Sequence, residues 1–145
     1  MFYIDTSALL KWYLPERDSD AVSRWIESQA DIAFSRLAWL EFRCALNRRV
    51  RTGTLDGRLA DAALDSFRGD AADGAFTLLP LTDADALAAD ALINDVAGTA
   101  LRTLDALHLA VARSHRAAAL ATADHVMAQA ARELDIPVIE FGLTP

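Results

Sequence analysis

The chain carries one cysteine, Cys44, and one lysine, Lys11. A lone cysteine excludes an internal disulfide framework and a cysteine-based zinc site, and it suits a reducing cytoplasm. Only three histidines are present, none paired with another at ligand spacing, which argues against a histidine zinc site. No apolar run approaches the roughly 20 residues of a membrane-spanning helix. Met1-Phe2-Tyr3-Ile4-Asp5 lacks the basic start and long apolar stretch of a secretory signal. The chain is therefore expected to be mature and soluble, to lie in the cytoplasm and to have no membrane partner. With 6 Gly and 4 Pro there is also no linker, repeat or low-complexity tract.

What is present is the composition of a folded domain. The 145 residues are 53% hydrophobic and 24% charged, the opposite of a disordered chain. A single domain over 1–145 is expected, of a size that buries roughly 70% of its unfolded surface. The formal net charge of −7 does not suit a protein that coats nucleic acid through a general basic field. Local clusters can override the sum, and Arg43, Arg48, Arg49 and Arg51 fall within nine residues. They read equally as an ordinary solvated helix face or as a phosphate-binding patch.

Short apolar runs alternate with longer stretches of helical period. The expected strands are Phe2-Tyr3-Ile4, Ile32-Ala33-Phe34, Phe76 to Leu79, Ala118 to Thr122 and Pro137 to Phe141. The expected helices run from Ser7 to Leu14, Ser19 to Gln29, Arg36 to Thr52, Leu55 to Gly69, Asp83 to Val96, Thr103 to about Ser114, and His125 to Leu134. Leu55, Leu59, Ala62, Ala63 and Phe67 are read as one buried stripe, and Leu87, Ala91 and Val96 as another. Leu104, Leu107 and Val111 are read as a third. Strands separated by helices require crossover connections, hence an α/β fold with a mostly parallel sheet covered on both faces. In such sheets ligands sit outside the carboxyl ends of the strands.

Acids fall at that edge. The first strand ends in Asp5-Thr6-Ser7 and the fourth in Thr122-Ala123-Asp124. Asp, Ser and Thr are also what helix N-termini want, so each cluster reads singly as a cap. Glu41 shares its helix face with Leu37, Ala38, Cys44 and Ala45, where a carboxylate is costly unless paired or bound to a cation. The alternative reading for Glu41 is a buried ion pair with an arginine. Asp105 lies in the first turn of the helix opened by Thr103, with His108 three residues on. His108 reads as packed or hydrogen-bonded rather than as a ligand, while His115 and His125 read as exposed. Four carboxylates in one pocket would repel each other and stay ionised only with cations among them. Oxygen-only sites select hard ions such as Mg²⁺ or Mn²⁺, and these suit phosphoryl chemistry.

These residues resemble the PIN domains, specifically the VapC-type toxins of bacterial toxin–antitoxin pairs. Tyr3-Ile4-Asp5-Thr6-Ser7-Ala8-Leu9 is similar to that family's first motif, and Glu41 in Trp39-Leu40-Glu41-Phe42 falls at its expected glutamate. The run from Leu101 to Ala110, Leu-Arg-Thr-Leu-Asp-Ala-Leu-His-Leu-Ala, is nearly a copy of its third motif. Ala121-Thr122-Ala123-Asp124 resembles the closing segment, with His125 where relatives often carry Arg or Lys. The resemblance spans the chain and implies a three-layer sandwich, with a five-stranded parallel sheet of order 3-2-1-4-5 and helices on both faces. It implies that Asp5, Glu41, Asp105 and Asp124 hold Mg²⁺ or Mn²⁺ for hydrolysis of an RNA phosphodiester. Thr6 or Ser7, and Thr122, would orient those carboxylates. Independently of the resemblance, Arg102 or the cluster from Arg43 to Arg51 is read as a contact for RNA phosphate; Arg102 reads equally as a structural salt bridge. Expected partners are an RNA substrate, a VapB-type antitoxin and a second copy of the chain. Trp12, Tyr13, Trp25 and Trp39 are candidate interface anchors and equally candidate core.

Two other readings stand beside this one. A PIN-like fold could serve as an RNA-binding or interaction module without catalysis. A carboxylate-based phosphatase or phospho-acceptor is the other. It would want a second acid two residues after Asp5, where Ser7 stands, and a late lysine that the chain does not have.

Overall fold

The computed structural model describes residues 1–142; the last three positions of the expected 1–145 domain lie outside the described residues. Five strands and seven helices alternate among them. In chain order these are β1 (Phe2–Ile4), α1 (Thr6–Tyr13), α2 (Ser19–Glu27), β2 (Ile32–Ser35), α3 (Arg36–Arg51) and α4 (Gly57–Ala72). They continue with β3 (Thr77–Leu79), α5 (Asp83–Asp95), α6 (Thr103–Ser114), β4 (Leu120–Thr122), α7 (His125–Glu133) and β5 (Val138–Glu140). The sheet runs β3-β2-β1-β4-β5 with every neighbouring pair parallel. Both the parallel sheet and its expected order are borne out.

The period-2 alternation of the strands divides the interior in two. Ile4, Phe34 and Ala121 face one side and pack with Leu9, Val22, Phe42 and Phe67 of α1 to α4. Tyr3, Ala33 and Leu120 face the other side and pack with Leu92, Leu109, Val111 and Met127 of α5 to α7. On the first side the aromatic rings gather about Phe67. Its ring centroid lies 4.5 Å from that of Phe42, 5.1 Å from those of Phe34 and Trp39, and 5.6 Å from that of Tyr13. Trp12, Tyr13, Trp25 and Trp39 are half-buried against this core.

Three helix phases differ from expectation. On α5 the buried stripe is Asp85, Ala89 and Leu92, continuing to Val96 just past the helix, while Leu87 is 74% exposed and Ala91 faces solvent. The stripe begins with a carboxylate, which hides its phase in a hydrophobicity pattern. Asp85 is tolerable there because it accepts from Thr82 N at 2.9 Å, Thr82 Oγ1 at 2.7 Å and Ser114 Oγ at 2.9 Å. On α4, capped by Asp56, the inward residues are Ala60, Ala63 and Phe67; Leu59 and Ala62 are exposed. Leu59 is larger than Ala60, so hydrophobicity alone selects the wrong neighbour. On α6, Leu104 is exposed because the first turn of that helix opens onto a cavity rather than the core. Thr103 is the first helical residue, and the N-cap position before it is held by Arg102 with no side-chain capping bond.

Phe67 is fully buried at the centre of the aromatic cluster. Phe67→Ala is expected to cost about 3–5 kcal/mol, the range for deleting a buried aromatic ring from a packed core, measured as a lowered urea midpoint with an unchanged slope.

Candidate active site

The order of the sheet makes β1 and β4 neighbours whose following helices leave on different faces. A crevice opens at such a point. Here it is a cavity of about 670 Å³, and Asp5, Glu41, Asp105 and Asp124 all line it. Side chains from four separate stretches of sequence therefore meet at one place. Asp5 and Asp124 reach it as helix caps, Glu41 and Asp105 from within helices.

Asp5 follows β1 and caps α1, accepting from Ala8 N through Oδ1 at 3.0 Å. Ser7 Oγ donates to both of its oxygens, at 2.8 and 2.9 Å, and Thr122 Oγ1 donates to Oδ2 at 2.7 Å. The side chain is nearly sealed, with 1% of the residue exposed. Burial pushes the Asp5 carboxyl above the ordinary aspartate range; His108, Ala8 N, Thr122 and Ser7 offset that only in part. Asp5 thus caps α1 and lines the cavity at once.

Glu41 sits at the border of the apolar face of α3, not within it. Cys44 one turn on is exposed, and the Glu41 side chain is 23% exposed. Its partner is not an arginine, the alternative weighed from sequence. Glu41 Oε2 accepts from His108 Nε2 at 2.6 Å and from Thr6 Oγ1 at 2.5 Å. His108 is buried, as expected of a packed histidine, and its Nδ1 lies 2.7 Å from the Tyr3 hydroxyl, which donates to Ser35 Oγ at 2.8 Å. Burial pushes the Glu41 carboxyl up, but His108, Thr6 and Arg102 together outweigh it and hold the group below the usual glutamate range. The chain from Ser35 to Glu41 could not be read from sequence, since its members are spread across β1, β2, α3 and α6.

Asp124 caps α7 through Oδ1, which accepts from Val126 N at 2.8 Å and Met127 N at 3.1 Å. Asp105 stands in the first turn of α6. One guanidinium joins these two acids: Arg102 Nε donates to Asp105 Oδ2 at 2.8 Å and Nη2 to Asp124 Oδ2 at 2.7 Å. Hydrogen bonding and charge from Asp105, then the charge of Asp124, push the Arg102 guanidinium further up. Arg43 is exposed and does not line the cavity. Arg48 and Arg51 of the same cluster, further along α3, do line it. Arg49, in the same run, is turned away and ion-paired with Glu16. The helical period separates these arginines, so the spacing 48 and 51 was the available signal.

The donors are all carboxylate and hydroxyl oxygens, the kind a hard divalent ion takes. Glu41 Oε1 and Asp105 Oδ1 make no hydrogen bond among the described residues. As the side chains stand, no three acids, histidines or cysteines among the described residues form a ready cage for an ion. The donor set fits the ion in kind, and Arg102 occupies part of it.

With this geometry in view, comparison with known proteins places the fold in a class. The chain belongs to the PIN domain family, whose match covers residues 2–133. It is similar to Ribonuclease VapC46 of Mycobacterium tuberculosis, 34% identical over 141 residues that make up 94% of this chain and 95% of that one. The fold is similar to that of M. tuberculosis VapC20, described as a sarcin–ricin loop cleaving toxin. There the TM-score is 0.73 at 18% identity, over 90% of this chain and 95% of that one. It is also similar to VapBC2 of Rickettsia felis, solved with a DNA fragment from its promoter, with a TM-score of 0.70 at 13% identity over 98% and 100% of the two chains. The family resemblance read from the motifs is thereby borne out.

The raised carboxyl of Asp5 has a consequence for stability. A folded-state pKa above the unfolded value means that stability is fully present below the unfolded pKa and falls as pH rises through the folded one. Asp5→Asn in EDTA is therefore expected to melt higher than the parent at pH 7, by roughly 2–4 °C for each kcal/mol recovered. The gain should disappear below about pH 3.9, the ordinary aspartate value, where both proteins are uncharged at this position. Thermal melts across pH check both the sign and the window.

Proposed function

We propose that this protein is a divalent-metal-dependent endoribonuclease that acts as the toxin of a toxin–antitoxin pair. The observation that carries this reading is the convergence of Asp5, Glu41, Asp105 and Asp124 on one cavity at the sheet's carboxyl edge. Membership of the PIN family and likeness to a named VapC ribonuclease over nearly the whole chain support it.

Asp5, Glu41, Asp105 and Asp124 would hold Mg²⁺ or Mn²⁺. Such an ion, when bound, supplies an activated water and charge screening for phosphodiester hydrolysis. The residues around the acids do the positioning. Ser7 and Thr122 fix both oxygens of Asp5, and Thr6 and His108 hold one oxygen of Glu41 so that the other is left for a ligand. Hydrogen bonds of this kind orient metal-binding carboxylates. Arg48 and Arg51 lie on the wall of the cavity that α3 contributes, and neither is ion-paired to an acid among the described residues. They suit the backbone phosphates of the strand to be cut, the one class of ligand that an otherwise acidic protein must recruit locally. We assign to this protein a VapB-type antitoxin as protein partner, a second copy of the chain as dimer mate, and the cytoplasm as its compartment. No helix among the described residues is long and apolar enough to cross a membrane.

A panel of transfer RNAs and ribosomal stem-loops tests the activity. Cleavage is expected with Mg²⁺ or Mn²⁺, and neither with EDTA nor with Asp5→Asn. Equal cutting in EDTA refutes the metal mechanism, and RNA binding without cutting in every condition favours a non-catalytic module. The arginine wall has its own test. Arg48→Ala with Arg51→Ala is expected to raise KM with kcat little changed. It should also flatten the slope of log affinity against log salt by about 0.7–1 for each phosphate no longer neutralised.

A further inference from the structure

We propose that Arg102 changes partners when the site takes up its ion. Without the ion it spans Asp105 and Asp124; an entering divalent cation takes those oxygens, and the freed guanidinium contacts the phosphate of the RNA. The inference rests on the nuclease reading above.

The atoms involved make the exchange specific. Asp124 Oδ1 is committed to the fold, because it caps α7 through two backbone N–H groups. Oδ2 is the oxygen left for a ligand, and Arg102 Nη2 holds it at 2.7 Å. Asp105 Oδ2 is held at 2.8 Å by Nε of the same side chain. Two acids from different helices would otherwise repel each other across the crevice, and a planar guanidinium can bridge them with a fixed fork. An ion bound to both acids needs close oxygen contacts at about 2.0–2.6 Å, which a guanidinium seated on the same atoms obstructs.

The arrangement is also one that can open. The Arg102 side chain is 65% exposed and its pair with Asp124 lies at the surface, where ion pairs are weak; only the Asp105 end, 9% exposed, is sheltered. The backbone, by contrast, is fixed: Arg102 is the N-cap of α6, and its carbonyl accepts from Ala106 N at 2.9 Å. A released guanidinium therefore stays on the cavity it already lines, facing the same space as Arg48 and Arg51. Its most available new partner there is an anionic oxygen of the substrate.

The test has two readouts of opposite sign, which neither a structural salt bridge nor a simple phosphate contact would produce. Titration calorimetry with MnCl₂ alone, on the full chain, compares the parent with Arg102→Lys and Arg102→Gln. Both variants are expected to bind Mn²⁺ at least about threefold more tightly, the change that one exposed ion pair of ordinary strength converts to. Lysine keeps the charge and loses the fork, so tightening in Arg102→Gln alone reduces the effect to net charge and overturns the displacement. Unchanged or weaker binding in both variants overturns it as well. At saturating Mn²⁺, Arg102→Gln is expected to raise KM about threefold or more for whichever RNA of the panel is cut; an unchanged KM overturns the contact with substrate. If no variant binds Mn²⁺, the metal reading and this inference fall together. If Mn²⁺ binding tightens but no RNA is cut by any variant, the displacement stands and the nuclease reading fails.

Discussion

The repulsion among four carboxylates in one crevice is the constraint on which the rest of the site depends. Two like charges about 4 Å apart cost roughly 4 kcal/mol even at an effective dielectric of about 20. The protein answers this in three ways. Asp5 is surrounded by uncharged donors, Ser7, Thr122 and Ala8 N, and buried so deeply that its ionisation is disfavoured. Glu41 has a histidine. Asp105 and Asp124 share one arginine. The last solution is the most exposed to solvent and the most readily exchanged for another cation.

The position of the acids follows from the topology with little extra design. Each strand of a parallel sheet ends at the same edge, and the chain commonly turns there into a helix whose first N–H groups need an acceptor. Asp5 and Asp124 satisfy that need with Oδ1. A cap uses one oxygen and faces the other elsewhere, so two caps at the switch point already present half of an anionic site. This is why the capping and ligand readings could not be separated from sequence: a side chain that caps a helix here also lines the cavity.

What the sequence made legible was whatever repeats locally. The five strands and seven helices lie close to where apolar period and cap residues put them, with boundaries displaced by up to three residues, as with Gly57–Ala72 against an expected Leu55 to Gly69. Phase was less legible. On α5 an inward aspartate held by Thr82 and Ser114 reverses the apparent buried face, because a satisfied carboxylate and an exposed one look alike in a sequence. The site was legible as a set of acids, since strand ends and motif spacing mark them. Their partners were not. The hydrogen bond between His108 and Glu41 spans 67 positions and that between Tyr3 and His108 spans 105, separations at which no local pattern exists. Arg43 and Arg48 are likewise indistinguishable by type, and only the rotation of α3 decides which one faces the cavity.

The two halves of the site belong to different layers of the fold, and this ties its assembly to folding. Asp5 and Glu41 come from elements that pack on the aromatic face of the sheet, Asp105 and Asp124 from those on the opposite face. Neither layer alone presents more than two acids. The link between them is polar: Tyr3 on β1 and His108 on α6 pass through the seam to Glu41 on α3, and every buried side-chain nitrogen and oxygen among the described residues finds a partner. Such a chain is costly unless complete, because each unpaired member would carry its full desolvation penalty in a dry interior. Completeness in turn requires both layers to be docked in register, with Tyr3 opposite Leu120 and Ala33 in the sheet. The acids are therefore brought together only in the fully packed protein. A partly folded chain, with one layer undocked, would hold two acids apart from the other two and have no assembled pocket.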